Sequence, residues 1–150
     1  MKIGVIIIFN NNEKDINVTE VIHALSNTKH ISFCFVNNCS TDNTLNVLQE
    51  LKEESNNVTV IDIKKLKSTA AAVKAGARFM FSNFDIKNIG YAVSSEIAPN
   101  SLTDFIENVN LQQKQIVEQN KVALKKAEIK PTLFQSIFAI DLYLKDEVNL

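Results

Sequence analysis

The run Val36–Thr44 carries an apolar segment into a cluster of small polar side chains, Asn37, Asn38, Ser40, Thr41, Asp42 and Asn43. Amides, hydroxyls and a carboxylate at a strand-to-helix turn can hydrogen-bond the edge of a base. Exposed backbone amides and the positive end of the helix dipole can hold a phosphate there. The same residue types also cap helices and close turns. Capping is the favoured reading for Ser40 and Asp42, while for Asn38 the two readings balance. Phe9 and Asn10 end the first apolar run, where an aromatic ring and an amide can flank a base, although a Phe at a strand end more often belongs to the core. Asn12 and Asn37 complete the polar set. Lys74 is placed to reach a phosphate, against the usual fate of a single helical Lys as a solvated charge.

Other chemistries lack their residues. His23 and His30 have no Cys, His or paired carboxylate at metal-ligand spacing, and neither lies in a nucleophile motif. No Ser-His-Asp or Cys-His set and no P-loop is present, and three glycines are too few for a glycine-built phosphate cradle. Cys34 and Cys39 are not in a Cys-x-x-Cys arrangement and read as free thiols. The lysines at 64, 65 and 67 and those at 121, 125, 126 and 130 read as solvated faces.

The elements that position the polar edge alternate between strand and helix. Residues 2–9 form a continuous β-branched run, the pattern of a strand buried on both faces. Val18, Val21, Ile22 and Leu25 recur at helical spacing, and Ile31–Val36 is a second strand. Leu45, Leu48 and Leu51, with Val47 beside them, mark a second helix, and Val58–Ile63 a third strand. Ser68 or Thr69 caps a third helix to about Ser82, whose Ala72 and Gly76 permit close packing on a sheet. Asn88–Val93 reads as a fourth strand, followed by a helix carrying Leu102, Phe105, Ile106 and Val109. Successive βα units predict right-handed crossovers and a mostly parallel sheet in a three-layer α/β/α, Rossmann-like fold. Residues 111–130 suit an exposed helix or a loose segment. After Pro131, Leu133, Ile137, Ile140 and Leu144 predict an apolar helix that must bury itself on the domain or on a second copy of the chain.

At 150 residues the chain holds one compact domain. With 16 Lys+Arg against 17 Asp+Glu it lacks the basic footprint of a nucleic-acid binder. Ile3–Phe9 is too short to span a bilayer and no signal-peptide pattern follows it, so the expectation is a cytoplasmic protein without a transmembrane segment.

From about Lys2 to Glu107 the chain resembles the family 2 glycosyltransferases of the GT-A fold. Val5–Asn12 is similar to the family's V-I-I-P-x-Y-N-E opening, and Val36–Thr44 to V-D-D-G-S-T-D-G-T. Ala70–Gly76 and then Ile89-Gly90-Tyr91 are similar to G-A-A-V-R-A-G and Y-I-G-Y-L-D-A-D. The resemblance implies a nucleotide-sugar donor, a Mn²⁺ or Mg²⁺ held by Asp-x-Asp, and inverting transfer to an acceptor hydroxyl. It departs from the family where that chemistry lies. The Asp-x-Asp positions hold Val93, Ser94 and Ser95, with Glu96 one residue further on, and the acidic pair after the second strand is Asn37-Asn38.

The resulting expectations are a GT-A-like domain over 1–110 and a helical C-terminal extension over 111–150. Phe9, Asn10, Asn12, Asn37, Asn38, Ser40 and Lys74 are the nucleotide-binding candidates, with no catalytic residue, metal ligand or cofactor assigned. The function expected is a transferase-related domain without metal-dependent catalysis, with a weak nucleotide-sugar ligand and a homodimer as partner. The alternatives are an active metal-independent glycosyltransferase, or an interaction module that dimerises through a helix over 131–145.

Overall fold

A computed structural model describes residues 3–97, 102–126 and 136–144. The β-branched run becomes β1 (Ile3–Phe9), buried at every position. It lies at the middle of a sheet that also holds β2 (Ile31–Asn38), β3 (Val58–Ile63), β4 (Asn88–Val93) and β5 (Phe138–Ala139). Every pairing is parallel and the order is β3-β2-β1-β4-β5. Continuous apolar sequence is what such a strand requires, since helices cover both of its faces.

Side-chain alternation divides the core in two. Ile3, Val5, Ile7 and Phe9 of β1 pack with Phe33 and Phe35 of β2 against α1 (Val18–Ser26), α2 (Thr44–Glu53), α4 (Leu102–Leu111) and α5 (Gln113–Lys126). Ile6 and Ile8 pack with Cys34 and Val36 against α3 (Thr69–Asn83) on the other face. Gly76 lets α3 approach closely, because a Cβ there would lie 2.9 Å from Ile6 Cγ2 and 3.3 Å from Val36 Cγ2. The three-layer parallel architecture predicted from sequence is the one observed.

Beyond Leu111 the outcome differs from the expectation. α5 is anchored by Ile116 and Val117 in the core, and by Asn120, whose Nδ2 donates to Asn88 Oδ1 at 3.1 Å. Three inward positions suffice to seat a helix that otherwise reads as exposed. The helix predicted after Pro131 is not formed at 136–144. Phe138–Ala139 is β5, and Ile140–Leu142 is one turn of 3-10 helix. The apolar residues there are claimed by both faces of the sheet: Ile137 packs on the α3 side, while Phe138 and Ile140 join the opposite core. β-type alternation won over helical spacing. Ile140 of the stripe behind the dimer expectation is fully buried within the subunit, and Ile137 and Leu144 are partly buried there. Leu133 lies outside the described residues.

Candidate functional site

The carboxyl ends of β1, β2, β3 and β4 meet the starts of α1, α2 and α3 along one edge, the place where open parallel sheets bind ligands. β2 and β3 are in register here, with Asn37 beside Asp62 and Asn38 beside Ile63. Alternation sends Asn37 towards the α1/α2 face and Asn38 towards the α3 face.

Asn38, only 6% exposed, is fully engaged. Its Nδ2 donates to Lys67 O at 2.9 Å and its Oδ1 accepts from Lys67 N at 3.1 Å, a reciprocal pair that fixes the β3–α3 loop. Asn37, 3% exposed, donates from Nδ2 to Asp62 Oδ1 at 3.0 Å, and its Oδ1 accepts from Ser40 Oγ at 2.5 Å. Asp62 also pairs with Lys64 Nζ at 2.9 Å. The bonds from Lys64 and then from Asn37 hold its carboxyl below the usual carboxylate range.

The loops after β1 and β2 are laced together. Asn10 Nδ2 donates to Asn38 O at 2.6 Å, Asn11 N to Ser40 Oγ at 3.0 Å, and Asn12 N to Thr44 Oγ1 at 2.9 Å. In return Thr41 N donates to Asn11 Oδ1 at 2.7 Å and Asn43 N to Glu13 Oε1 at 3.1 Å. Asp42 Oδ1 accepts from Thr44 N at 3.0 Å and from the Thr44 hydroxyl, and the hydroxyl is the larger cause of its lowered carboxyl pKa. Asp42 thus takes one amide at the start of α2 and one from Glu13 N of the neighbouring loop, at 3.3 Å, while the N-cap position itself is Asn43, whose side chain makes no capping bond. Two residues bend the edge with left-handed backbone, Asn11 at φ 55° and Cys39 at φ 54°. Non-glycine residues seldom adopt that region, and here Asn11 and Cys39 open the two tight turns.

The candidates read from sequence therefore separate. Asn10, Asn12, Asn37, Asn38 and Ser40 come together at the edge, joined by the bonds above. Phe9 does not face it: the ring is fully buried and meets Phe35 edge-on, with centroids 5.3 Å apart, which places it in the core. Lys74 is exposed on the second turn of α3. Sequence reasoning missed Asn11, Glu13 and Asp62 as partners in the network. Only the in-register alignment of Val36-Asn37-Asn38 with Ile61-Asp62-Ile63 could have signalled Asp62 beforehand.

At the end of β4 the donors do not fit a dication. Val93 offers no donor and packs with the α3-side cluster, while Ser94 and Ser95 present neutral hydroxyls. Glu96 lies in a 3-10 turn over Ser94–Glu96, so strand alternation does not decide its direction as the sequence suggested. It is a single exposed carboxylate, and no group of three or more His, Cys, Asp or Glu able to hold a metal occurs among the described residues. Hard dications bind through several oxygen ligands, carboxylates foremost.

Comparison with known proteins agrees with the fold. The S. aureus TarS crystal structure of residues 1–349 superposes at a TM-score of 0.56 with 16% identity, over 81% of this chain and 33% of that one. A second S. aureus TarS structure gives 0.50 at 19% identity, over 75% and 20%. The chain thus spans about a third and a fifth of those two chains. No curated protein matches. No described helix is long and apolar enough to cross a membrane. The profile of glycosyl transferase family 2 matches residues 5–84, from β1 through α3 and including the whole laced edge. With more than half of the sequence matched and the GT-A-like parallel sheet beneath it, the chain belongs to glycosyl transferase family 2.

Proposed function

We propose that this is a glycosyltransferase-like domain that binds a nucleoside diphosphate or its sugar at the β1–β3 edge without performing metal-dependent transfer. The observation that carries the reading is the end of β4. It carries Val93, Ser94 and Ser95, the positions that the resemblance aligns with Asp-x-Asp and its dication ligands, while the strand, turn and helix platform of Val36–Thr44 is intact. Without a dication the departing diphosphate loses its main charge stabiliser, a contribution worth several kcal/mol.

Asn10, Asn12, Asn37, Asn38 and Ser40 act mainly as the frame of this edge, with Lys74 available to a phosphate from α3. Their amides are spoken for in the free protein, so a nucleotide must compete with the existing bonds or use backbone groups and remaining lone pairs. Weak binding follows, because each displaced bond offsets a new one. Calorimetric titration with UDP, GDP and their sugars, with and without Mn²⁺, together with an assay for donor hydrolysis, tests the reading. Nucleotide binding that is independent of Mn²⁺ and unaccompanied by turnover is expected. Mn²⁺-dependent binding with sugar transfer or donor hydrolysis would overturn it.

A further inference from the structure

We propose that the open side of β3 pairs with the same strand of a second copy of this chain, joining two sheets into one. β3 ends the order β3-β2-β1-β4-β5, so among the described residues its one strand neighbour is β2. Asn57 O accepts from Phe33 N at 2.8 Å and Ile63 O from Cys39 N at 2.9 Å, which turns the odd-numbered residues towards β2. Period-two alternation therefore turns the backbone N–H and C=O of Val58, Val60 and Asp62 outward. A row of such groups is a template for a further strand, and proteins commonly blunt it with Pro, Lys or a bulge. β3 holds none of these: its sequence is Val-Thr-Val-Ile-Asp-Ile, and its register with β2 is unbroken. Its one charged side chain, Asp62, is already bound to Asn37 and Lys64.

The charges at the two ends of β3 select the occupant. Glu53 and Glu54 precede the strand at the end of α2, and Lys65 and Lys67 follow it. All four are exposed, and none is ion-paired among the described residues. Of the other charges nearby, Glu50 and Lys52 are exposed on α2 at the acidic end, and Lys64 is paired with Asp62. A two-fold axis normal to the sheet runs the two strands antiparallel, so the lysine end of each copy meets the glutamate end of the other. A parallel pairing would instead set like charges together, which is unfavourable. With the axis at Val60 every outward group finds a partner: Val60 faces Val60 of the partner subunit, and Val58 faces the partner subunit's Asp62, each pair exchanging two hydrogen bonds. The contact is isologous and closes at two copies, because β5 and not β3 ends the other side of the sheet.

Sedimentation equilibrium of the full chain over a range of concentrations tests the proposal on the wild type, V60P, K65E/K67E, E53K/E54K and an equimolar mixture of the last two, with circular dichroism melts confirming that each folds. Proline at position 60 removes an outward N–H and no bond to β2, so it strikes the contact rather than the sheet. The expected result is a reversible dimer of the 16.8 kDa chain, weakened roughly tenfold or more by V60P through the central pair of bonds. K65E/K67E and E53K/E54K should each dimerise more weakly than the wild type, because each carries one sign of charge at both ends of β3, and their mixture should recover the association. A monomer at every concentration up to millimolar, with the open side left to another protein's strand or to none, overturns the proposal. So does a dimer that persists unchanged in V60P, or one in which the two charge variants do not prefer each other.

Discussion

Asn38 shows how one amide can serve the fold and set the chemistry. It donates to one backbone group of Lys67 and accepts from another, which no carboxylate can do. Asn38→Asp is therefore expected to destabilise the protein by about 1–3 kcal/mol, because a carboxylate oxygen then faces the Lys67 carbonyl unpaired. Asn38→Ala should cost a similar amount, and urea denaturation measures both. Cys34 and Cys39 should differ sharply in reactivity. Burial pushes the Cys34 thiol from 9.0 to about 12, whereas Cys39 is half-buried at the edge. A thiol reagent at neutral pH is expected to label Cys39 in the folded protein and Cys34 only after denaturant is added. The sign of the pH dependence follows from the raised value. The folded state keeps the Cys34 proton longer than the unfolded chain, so the associated stability is complete below pH 9 and is lost as pH rises towards 12. Cys34→Ala should flatten that alkaline decline. Asp42 and Asp62 have lowered values and act oppositely: their contribution is present above the ordinary carboxylate pKa and disappears in acid. What was legible at this scale was the residue types at the edge. The partners were not, because Asn37 to Asp62 and Asn38 to Lys67 are links between strands and loops whose register the local sequence does not state.

At the scale of elements, periodicity worked wherever one face of an element meets one surface. α1 and α4 were readable for this reason, β1 instead by its unbroken apolar run, and the buried residues of α4 are the ones its spacing marked, Leu102, Phe105, Ile106 and Val109. It failed at residues 136–144, where Ile137 and Phe138 serve opposite faces of the sheet and helical spacing arises by coincidence. Gly90 explains why this segment can dock. A Cβ there would fall 2.4 Å from Ile140 Cγ1 and 2.8 Å from Phe138 Cε2, so β4 is bare where the segment after it packs. Gly90→Val should displace β5 and the following turn, destabilising by about 1–3 kcal/mol if the core must be forced apart. Gly76→Val should cost a similar amount by pushing α3 away from Ile6 and Val36. Both are readable as shifts of the urea midpoint. Ile140→Asp places an unpaired charge in the core and is expected to lower the melting temperature. A change of mass in solution with an unchanged melt would instead put Ile140 at an interface.

At the scale of the molecule, the fold and the family were visible in the polypeptide itself, since parallel strands buried on both faces and the Val36–Thr44 turn leave strong local signatures. Activity is harder to read, because it depends on which charges converge across four strand ends. Here the edge carries a latched polar network and a basic loop, while the end of β4 carries Val93, Ser94 and Ser95. The central claim is that nucleotide recognition has outlived metal-dependent catalysis. Titration of UDP and GDP in the presence of Mn²⁺ and then of EDTA, with donor hydrolysis followed in the same samples, tests it most directly. Binding of equal strength under both conditions and no released sugar is the predicted result; binding that needs Mn²⁺ and is accompanied by sugar release would contradict the account.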